Sequence, residues 1–398
     1  MSRSKRHGSA DDRISALPDE LLHHIMSFLT PRDTVQTCVL SRRWQTTWVS
    51  ARCLIIDSDQ FSILWELKTF LDNLLLDRGC TSLDKFWLRI IFGNVYPDNV
   101  MDYCQIRPWV CHALRCNTQV LGIVHDGELL TISNAFTSSN LKRLHLCKFE
   151  VDDWFVEKLF SGCPKLEELE LICCFVNIVM LSSAKLKRLT VTTSDDRSVA
   201  CLGYEDLVID MPNLVSLDIK EIPDRNPYFL NLSSLDTASV CLTTVSFKDS
   251  DVDCNVLSAL SNATSLRSLS LTVNDEEAIK VVGRDVLRCG TFSNLKTLSL
   301  GEWCLGSGCR VLLHLLQRSP KLQKLILHLT DVGASQSDQQ HAAAVTDPDC
   351  NQTETPFNCE NLKKIEINCP QGDKRVHVIV RILFENITSP TEINITSH

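Results

Sequence analysis

The feature that most constrains this chain is a short leucine motif, Leu-x-x-Leu-x-Leu, which returns along most of its length. A motif repeated at intervals of 20 to 50 residues indicates stacked units that contact their neighbours and cannot fold alone. Clear copies begin at Leu141, Leu166, Leu186, Leu214, Leu266, Leu295, Leu322 and Leu362, and looser copies begin at Leu83, near Val120 and at Leu235. The sequence therefore predicts a repeat domain from about residue 53 onward.

The spacing of the leucines predicts a strand in each copy. Successive side chains of a strand point to opposite faces, so Leu169 and Leu171 should enter the core while Glu168 and Glu170 point outward. Helical stretches at 152–165, 255–265 and 309–321 should return the chain over the other side. We therefore expect an α/β fold, a curved solenoid with parallel strands on its concave face.

The outward strand positions are the candidate surface for a target. They carry charges of both signs, which favours a folded protein or peptide over a polyanion as the ligand. The alternative is that most of these side chains are only solvated. The candidates are Arg143, His145, Glu168, Glu170, Arg188, Asp218, Lys220, Lys324 and His328.

The first fifty residues have a different pattern, which predicts three short helices. Pro18 suits a helix start, and apolar residues from Leu21 to Leu29 recur at one, three and four residue steps before Pro31 ends the helix. A second helix should begin near Asp33, and Ser41 can cap a third that carries Trp44 and Trp48. Such a small unit buries too little surface to be stable alone. Its apolar stripe should therefore contact a partner or pack on the domain that follows.

This segment resembles the F-box of plant F-box/leucine-rich-repeat proteins. Leu17-Pro18, the apolar helix, the run LSRRW from Leu40 and Trp48 stand in the order and spacing of that family. The resemblance implies an N-terminal three-helix F-box that docks on the Skp-family adaptor of a cullin–RING ubiquitin ligase. The residues it implies for this contact or its support are Leu17, Pro18, Leu21, Leu22, Ile25, Leu40 and Trp44.

The resemblance also implies a division of labour. The F-box would hold the adaptor and, through it, the cullin and RING subunits, while the repeats would hold a target for ubiquitination. A binding scaffold that works outside ubiquitination, and a small-molecule co-receptor like the hormone-sensing F-box proteins, remain alternatives.

We expect five segments along the chain. They are a disordered tail at 1–12, the F-box at 13–52, the repeats at 53–330, a flexible Gln/Ser/Asp-rich insertion at 331–356, and a last repeat with a cap at 357–398. The cap should contain a strand, a helix with Val376, Val380 and Leu383 on its apolar side, and a final strand. It resembles the FBD region of plant F-box/repeat proteins.

Composition excludes several other classes of function. A net charge of −9, concentrated after residue 52, argues against nucleic acid as the main ligand. No run of about 18 apolar residues occurs and no apolar stretch follows the basic first residues, so we expect no membrane span, no signal peptide and a place in the cytosol or nucleus. The 19 scattered cysteines should then be free thiols.

No motif indicates an enzyme or a metal site. The sequence lacks CxxC, HExxH, GxSxG and phosphate-loop patterns. The pair His23-His24 has no third ligand nearby, and adjacent residues on a helix point in different directions. We therefore expect a chain without catalytic residues, metal or cofactor.

Overall fold

The computed structural model describes residues 13–14, 16–26, 28–91, 103–134, 136–193, 207–220, 227–242, 254–274, 276–330, 359–387 and 391–397. Within them the contacts define two compact units. Unit 1 comprises Met1–Phe149 and Glu157–Leu166, and unit 2 comprises Glu150–Val156 and Glu167–His398. The predicted tail and insertion, 1–12 and 331–356, lie outside the described residues.

The helices are α1 (Asp19–Met26), α2 (Pro31–Gln36), α3 (Trp44–Thr47), α4 (Leu64–Arg78), α5 (Tyr103–Arg115), α6 (Asp153–Gly162), α7 (Val256–Ser261), α8 (Glu276–Arg288), α9 (Gly306–Gln317) and α10 (Arg375–Asn386). Short 3-10 turns lie at Thr37–Val39, Trp48–Ser50, Ser58–Gln60 and Glu302–Leu305.

The strands are β1 (Cys53–Asp57), β2 (Lys85–Ile90), β3 (Val120–His125), β4 (Leu130–Thr131), β5 (Arg143–Cys147), β6 (Phe149–Asp152), β7 (Glu168–Asn177), β8 (Met180–Ser182), β9 (Arg188–Thr193), β10 (Leu207–Asp210), β11 (Ser216–Lys220), β12 (Pro227–Leu230), β13 (Thr237–Leu242), β14 (Ser268–Val273), β15 (Thr297–Gly301), β16 (Lys324–His328), β17 (Lys364–Cys369) and β18 (Glu392–Ser397).

Each leucine motif forms a parallel strand, as predicted. In unit 1 the hydrogen-bonded order is β1, β2, β3, β5, and in unit 2 it runs from β7 through β9, β11 and β13 to β18. Equivalent motif positions pair directly, for example Leu217 with Ala238 and Leu298 with Leu325. This register follows from the period of two, because a slip by one residue would turn every leucine to solvent. The α/β prediction is confirmed.

The motif leucines form the core. In the copy that begins at Leu166, the side chains of Leu166, Leu169 and Leu171 are buried while Glu168 and Glu170 are half-buried. The first leucine of a copy lies two residues before its strand and is also buried in the looser copies at Leu83 and Leu235. Burial of one leucine contributes about 1.5–3 kcal/mol, so the repeated motif supplies much of the driving force for folding.

Asparagines tie successive repeats together. Asn213, Asn294 and Asn361 each stand directly before the first leucine of a copy. Their side-chain amides donate to backbone carbonyl oxygens of the preceding repeat at 2.7, 2.7 and 3.0 Å. Such bonds satisfy backbone groups at the turns between units, which strands and helices leave unpaired.

The return segments differ in part from the prediction. The expected helices are present as α6, α7 and α9, but between β7 and β13 the chain also returns through β8, β10 and β12, which form a separate parallel sheet. On its edge, the Asn255 side chain both accepts from the Phe229 N–H and donates to the Phe229 carbonyl, at 3.1 and 3.0 Å. The amide thus takes the place of a further strand and closes this edge.

The C-terminal cap has the predicted order of strand, helix and strand. In α10 the buried side chains are Val376, Ile379 and Leu383, whereas Val380, which we expected among them, is only half-buried. The observed steps, three residues from Val376 to Ile379 and four to Leu383, fit the helix period as well as the predicted steps of four and three through Val380. The pattern alone could not separate these two neighbours.

Candidate functional site

Helix α1 divides its apolar residues between two sides. Leu22 and Met26, four residues apart, are fully buried, while Leu21 and Ile25, again four apart, are exposed. A rotation of about 100° per residue produces this division. Leu22 therefore supports the helix from inside unit 1, and Leu21 and Ile25 are available to another molecule.

Helix α1 ends earlier than predicted, at Met26 instead of just before Pro31. After it, the N–H groups of Phe28 and Leu29 donate to the carbonyls of Ile25 and Met26 at 3.1 and 3.0 Å. This tight turn leads into Pro31, which starts α2. As a result, Phe28 and Leu29 are exposed, Phe28 by 76% of its surface, and both extend the apolar surface beyond the helix.

A second group of exposed apolar residues precedes α3. Val39 and Leu40 follow α2 and are exposed, while Trp44 is buried. Ser41 does not cap α3, which begins three residues later at Trp44 without a side-chain cap. The exposed F-box set, as we call it, consists of Ile14, Pro18, Leu21, Ile25, Phe28, Leu29, Val39 and Leu40.

The seven residues that the family resemblance implied for adaptor binding fall into exposed and buried groups. Pro18, Leu21, Ile25 and Leu40 belong to the exposed F-box set, and Leu17 is half-buried. Leu22 and Trp44 lie in the core, so they can act only as support.

Polar contacts hold these helices in place. Arg43 forms an ion pair with Asp19 at the start of α1, and this guanidinium holds the pKa of the Asp19 carboxyl below its usual range. His23 is half-buried, and its Nε2 is hydrogen bonded to the Ser50 hydroxyl at 2.7 Å. Both contacts join α1 to the segment around α3.

The F-box segment is also part of the core of unit 1. Trp48 is buried, and its carbonyl accepts a 3.2 Å hydrogen bond from Arg78 at the end of α4. Burial lowers the pKa of the Arg78 guanidinium to about 10, and its Nε and Nη2 lack partners. The buried side of α1 packs on α3 and the Trp48–Ser50 turn, and its other side stays exposed, so contact of the exposed side with a partner remains a prediction.

The outward face of unit 2 is arranged in rows by the strand register. One row runs through Glu168, Arg188, Ser216, Thr237, Ser268, Thr297, Lys324 and Lys364. The next runs through Glu170, Thr190, Asp218, Ser239, Ser270, Ser299, Ile326 and Glu366. On β13, β14 and β15 both rows therefore carry only short hydroxyl side chains, with charged residues on either side.

Most predicted target residues in unit 2 engage neighbours on this face. Arg188 pairs with Glu168, Lys220 lies 3.4 Å from Asp218, and Lys324 lies 2.8 Å from Glu366. Glu366 also contacts Lys364 at 2.7 Å, and the two lysines hold its pKa below the usual range. His328 bonds through Nε2 to Ser299 at 3.1 Å and through Nδ1 to Asn368 at 3.3 Å.

Comparison with protein families decides the class of this chain. A family model for an F-box domain matches residues 14–55. A model described as the At1g61320/AtMIF1 LRR domain matches residues 128–394, more than half of the chain. The chain belongs to the F-box/leucine-rich-repeat family. This F-box/leucine-rich-repeat protein thus belongs to the family that its sequence motifs resemble.

Relatives in Arabidopsis thaliana are also named for an F-box and leucine-rich repeats. F-box/LRR-repeat protein At4g14096 is 27% identical over 79% of this chain and 72% of its own length. F-box/FBD/LRR-repeat protein At5g53840 is 26% identical over 87% of this chain and 81% of its own length. F-box/FBD/LRR-repeat protein At5g22700 is 28% identical over 66% of this chain and 67% of its own length.

Several thiols of this F-box/leucine-rich-repeat protein are poorly suited to nucleophilic chemistry. Burial raises the pKa of Cys163, Cys289 and Cys359 to about 11, and Cys304 is shifted in the same direction. Since the thiolate is the reactive form, these groups are protonated and inert near neutral pH. Across the described ranges, no three His, Cys, Asp or Glu side chains come together as metal ligands do. No helix in the part of the chain described is long and apolar enough to cross a membrane.

Sequence reasoning missed a cavity of about 390 Å³ in unit 1. It lies beside α2 and α4, and the Arg32 guanidinium stands 5.8 Å from the centre of the Phe61 ring on its wall. Its volume is within the range of small-molecule pockets. No local motif could have indicated it, because its walls come from residues 32 to 77 that only folding brings together. The lining residues are Arg32, Val35, Trp48, Phe61, Trp65, Glu66, Thr69, Phe70, Asn73, Leu74 and Asp77.

Proposed function

We propose that this protein is the substrate-recognition subunit of an SCF-type cullin–RING ubiquitin ligase. The F-box would bind a Skp-family adaptor, and the outward face of the repeats would bind a target protein. The observation that carries the proposal is the exposed F-box set. It places large apolar side chains such as Phe28 and Leu40 in water within a segment that matches the F-box family model.

The energetics support a partner at this site. Each large apolar side chain that becomes buried contributes about 1.5–3 kcal/mol. Burial of Leu21, Ile25, Phe28 and Leu40 together is therefore enough to anchor a specific interface after the cost of association is subtracted. Large apolar side chains exposed close together in one short segment are a mark of an interaction site.

In this function the chain itself performs no chemistry. The adaptor, cullin and RING subunits would connect it to a charged ubiquitin carrier, and the bound target would present a lysine nearby. Holding the target lysine close to the ubiquitin carrier raises their effective concentration, and the chain needs to contribute nothing more to the transfer. We expect such a complex to work in the cytosol or nucleus.

Adaptor binding should depend on Leu21 and Leu40 of the exposed F-box set. We expect the double variant Leu21→Asp, Leu40→Asp to bind a purified Skp-family adaptor at least 100-fold more weakly, because each introduced aspartate would place a charge in the buried interface. Binding is measured by calorimetry, and folding by circular dichroism. Leu76→Asp is the matched control, since Leu76 is an exposed leucine of α4 outside the F-box. Unchanged adaptor affinity in the double variant would refute the site.

The alternative of a scaffold outside ubiquitination is separated by co-purification and target stability. A substrate receptor brings down adaptor and cullin together, and its target accumulates when the chain is removed or carries the double variant. A scaffold of the alternative kind leaves the abundance of its bound protein unchanged in both cases.

A further inference from the structure

Two cysteines stand at the ends of successive helices in unit 1. Helix α4 ends at Arg78, and Gly79 follows with a φ of 56°, which glycine adopts without steric cost. Cys80 comes directly after this turn and is exposed. Cys116 follows the last residue of α5 and is only 1% exposed. The thiol pair, as we call Cys80 and Cys116, therefore consists of one thiol open to water and one in the core.

The backbone on both sides of Cys80 is held against Cys116. The Cys116 Sγ donates to the Gly79 carbonyl oxygen at 3.8 Å, and the amide nitrogen of Cys80 is covalently bonded to that same carbonyl group. After Cys80, the Leu83 N–H donates to the Cys116 carbonyl at 2.9 Å. The two thiols are close enough to hydrogen bond to each other. A change of side-chain torsions therefore brings the sulfur atoms to bonding distance.

A buried cation lies beside the thiol pair. Arg78 is 3% exposed, and its Nε and Nη2 have no hydrogen-bond partner among the described residues. Burial raises the pKa of the Cys116 thiol and the nearby Cys80 thiol raises it further, whereas the charge of Arg78 lowers it. The guanidinium thus stabilises a negative charge on the Cys116 sulfur. The thiolate is the form of cysteine that attacks another sulfur atom.

His112 supplies a group that can take up a thiol proton. Its carbonyl accepts from the Cys116 N–H at 3.0 Å, so the two side chains lie on the same side of α5, one helical turn apart. Burial is the main cause that lowers the pKa of the imidazole. The charge of Arg78 adds to this shift, and a hydrogen bond to the Gly79 carbonyl opposes it, so the ring is neutral near neutral pH. Its buried Nε2 has no hydrogen-bond partner in the part of the chain described.

Exposure separates the thiol pair from two other cysteines that lie near each other. Burial and, to a smaller extent, the charge of Cys309 raise the pKa of the Cys304 thiol, and both of these cysteines are buried. An oxidant in water reaches Cys80 in the folded chain, whereas it reaches neither Cys304 nor Cys309. An exposed thiol next to a second thiol is the arrangement found at redox-sensitive cysteines.

We propose that Cys80 and Cys116 form a redox modification site, at which a hydroperoxide joins them in a disulfide between the ends of α4 and α5. The Cys80 sulfur attacks one oxygen of hydrogen peroxide, the O–O bond breaks, and the leaving hydroxide takes the Cys80 proton as water. This leaves a sulfenic acid on Cys80. The Cys116 sulfur then attacks the Cys80 sulfur, so that the S–S bond forms and the S–O bond breaks. His112 passes the Cys116 proton to the departing hydroxide, which becomes the second water.

The disulfide would restrain the residues that support the F-box segment. Arg78 donates through Nη1 to the Trp48 carbonyl at 3.2 Å, and the new bond would fix the chain directly after Arg78. This modification does not depend on the proposed function, because its chemistry requires only the thiol pair, its two neighbours and the peroxide.

Peptide mapping tests the bond. The full-length protein is reduced, freed of reductant and treated with hydrogen peroxide, and the remaining thiols are alkylated in denaturant before digestion. Trypsin places the two cysteines in peptides 79–85 and 116–142, each with a single thiol. We expect mass spectrometry to find these peptides joined in roughly tenfold greater yield than any other pair, because the rate of thiol oxidation depends on access and on a neighbouring thiol. Dithiothreitol should separate them again.

Three variants identify the two roles, and circular dichroism before oxidation checks that each is folded. In Cys116→Ser, Cys80 should remain a sulfenic acid that dimedone traps, because no second thiol attacks it. In Cys80→Ser, Cys116 should stay reduced. Cys53→Ser is the matched control and should form the bond as the natural chain does, since Cys53 is an exposed cysteine of unit 1 outside the thiol pair. Unlinked peptides 79–85 and 116–142 after peroxide treatment, or equal oxidation of Cys116 in Cys80→Ser, would overturn the proposal.

Discussion

At the scale of single residues, His125 shows what a buried titratable group does to this fold. Its ring is 2% exposed, and Nε2 donates to the Lys148 carbonyl at 2.8 Å while Nδ1 has no partner. Burial is the main cause that lowers the pKa of the imidazole to about 4. The hydrogen bond to the Lys148 carbonyl opposes this shift, the charge of Lys148 adds to it, and Asp126 has a smaller opposing effect. The structure therefore holds a neutral histidine in the core of unit 1.

Acid should therefore destabilise unit 1 through this histidine. The unfolded chain takes up the proton near pH 6.5 and the folded chain only near pH 4, so stability is complete above pH 6.5 and falls as the pH drops between these values. The difference corresponds to about 3 kcal/mol. His125→Gln keeps a hydrogen-bond donor but cannot titrate. Between pH 7 and pH 4 we expect its free energy of unfolding, measured with urea, to fall by about 3 kcal/mol less than that of the natural chain. Parallel losses in the two proteins would contradict this.

At the scale of elements, one carboxylate joins two successive helices of unit 2. Asp285 of α8 is buried, and its oxygens accept from the N–H groups of Leu257 and Ser258 at 2.6 and 3.3 Å, at the start of α7. The first N–H groups of a helix have no partner within it, and a negative charge there also suits the helix dipole. Asn255 stands at the N-cap position of α7, but its side chain makes no cap bond. Asp285 caps α7 from the neighbouring helix instead.

Loss of this cap should be costly. We expect Asp285→Ala to reduce the free energy of unfolding by about 2–3 kcal/mol, because it leaves buried N–H groups without a partner. Asp285→Asn, which retains one acceptor oxygen, should cost about half as much. Glu385→Ala, which removes an exposed carboxylate from α10, should change stability by less than about 0.5 kcal/mol. Denaturant unfolding measures all three, and an Asp285→Ala variant as stable as the control would contradict the cap.

At the scale of the whole molecule, the F-box segment is a structural part of unit 1 as well as a binding element. Trp44 and Trp48 are buried, and the Trp48 carbonyl satisfies one nitrogen of the buried Arg78. Removal of residues 13–52 would break the bond to this guanidinium and uncover the part of α4 that contacts the Trp48–Ser50 turn. Point variants on the exposed side are therefore the better tools for separating binding from folding.

A truncated chain tests this directly. We expect a protein that lacks residues 13–52 to be cut by trypsin much faster within unit 1, while peptides of unit 2 keep the protection they have in the full chain. Local unfolding of a region depends on the contacts that stabilise that region, and the truncation leaves the contacts within unit 2 in place. Equal protection of unit 1 in the two proteins would show that the F-box segment contributes nothing to its core.

Short-range patterns in the sequence determined the strands, the buried leucines and the F-box segment. A period of two decides which face of a strand is buried, and Pro31 suits the first position of α2 because its missing N–H needs no partner there, so these features need no knowledge of distant contacts. Where neighbours compete for one place, as Ile379 and Val380 do in α10, only packing decided the outcome.

The tertiary structure alone decided which functional residues stand together. Leu21 and Leu22 look alike in the sequence, yet one is exposed and the other is in the core, because the position of α1 is set by contacts from Arg43 and Ser50 about 25 residues away. In the same way, Cys80 and Cys116 meet only through the packing of α4 and α5. Local propensity records none of this, since the energy that selects these contacts comes from groups that are far apart along the chain.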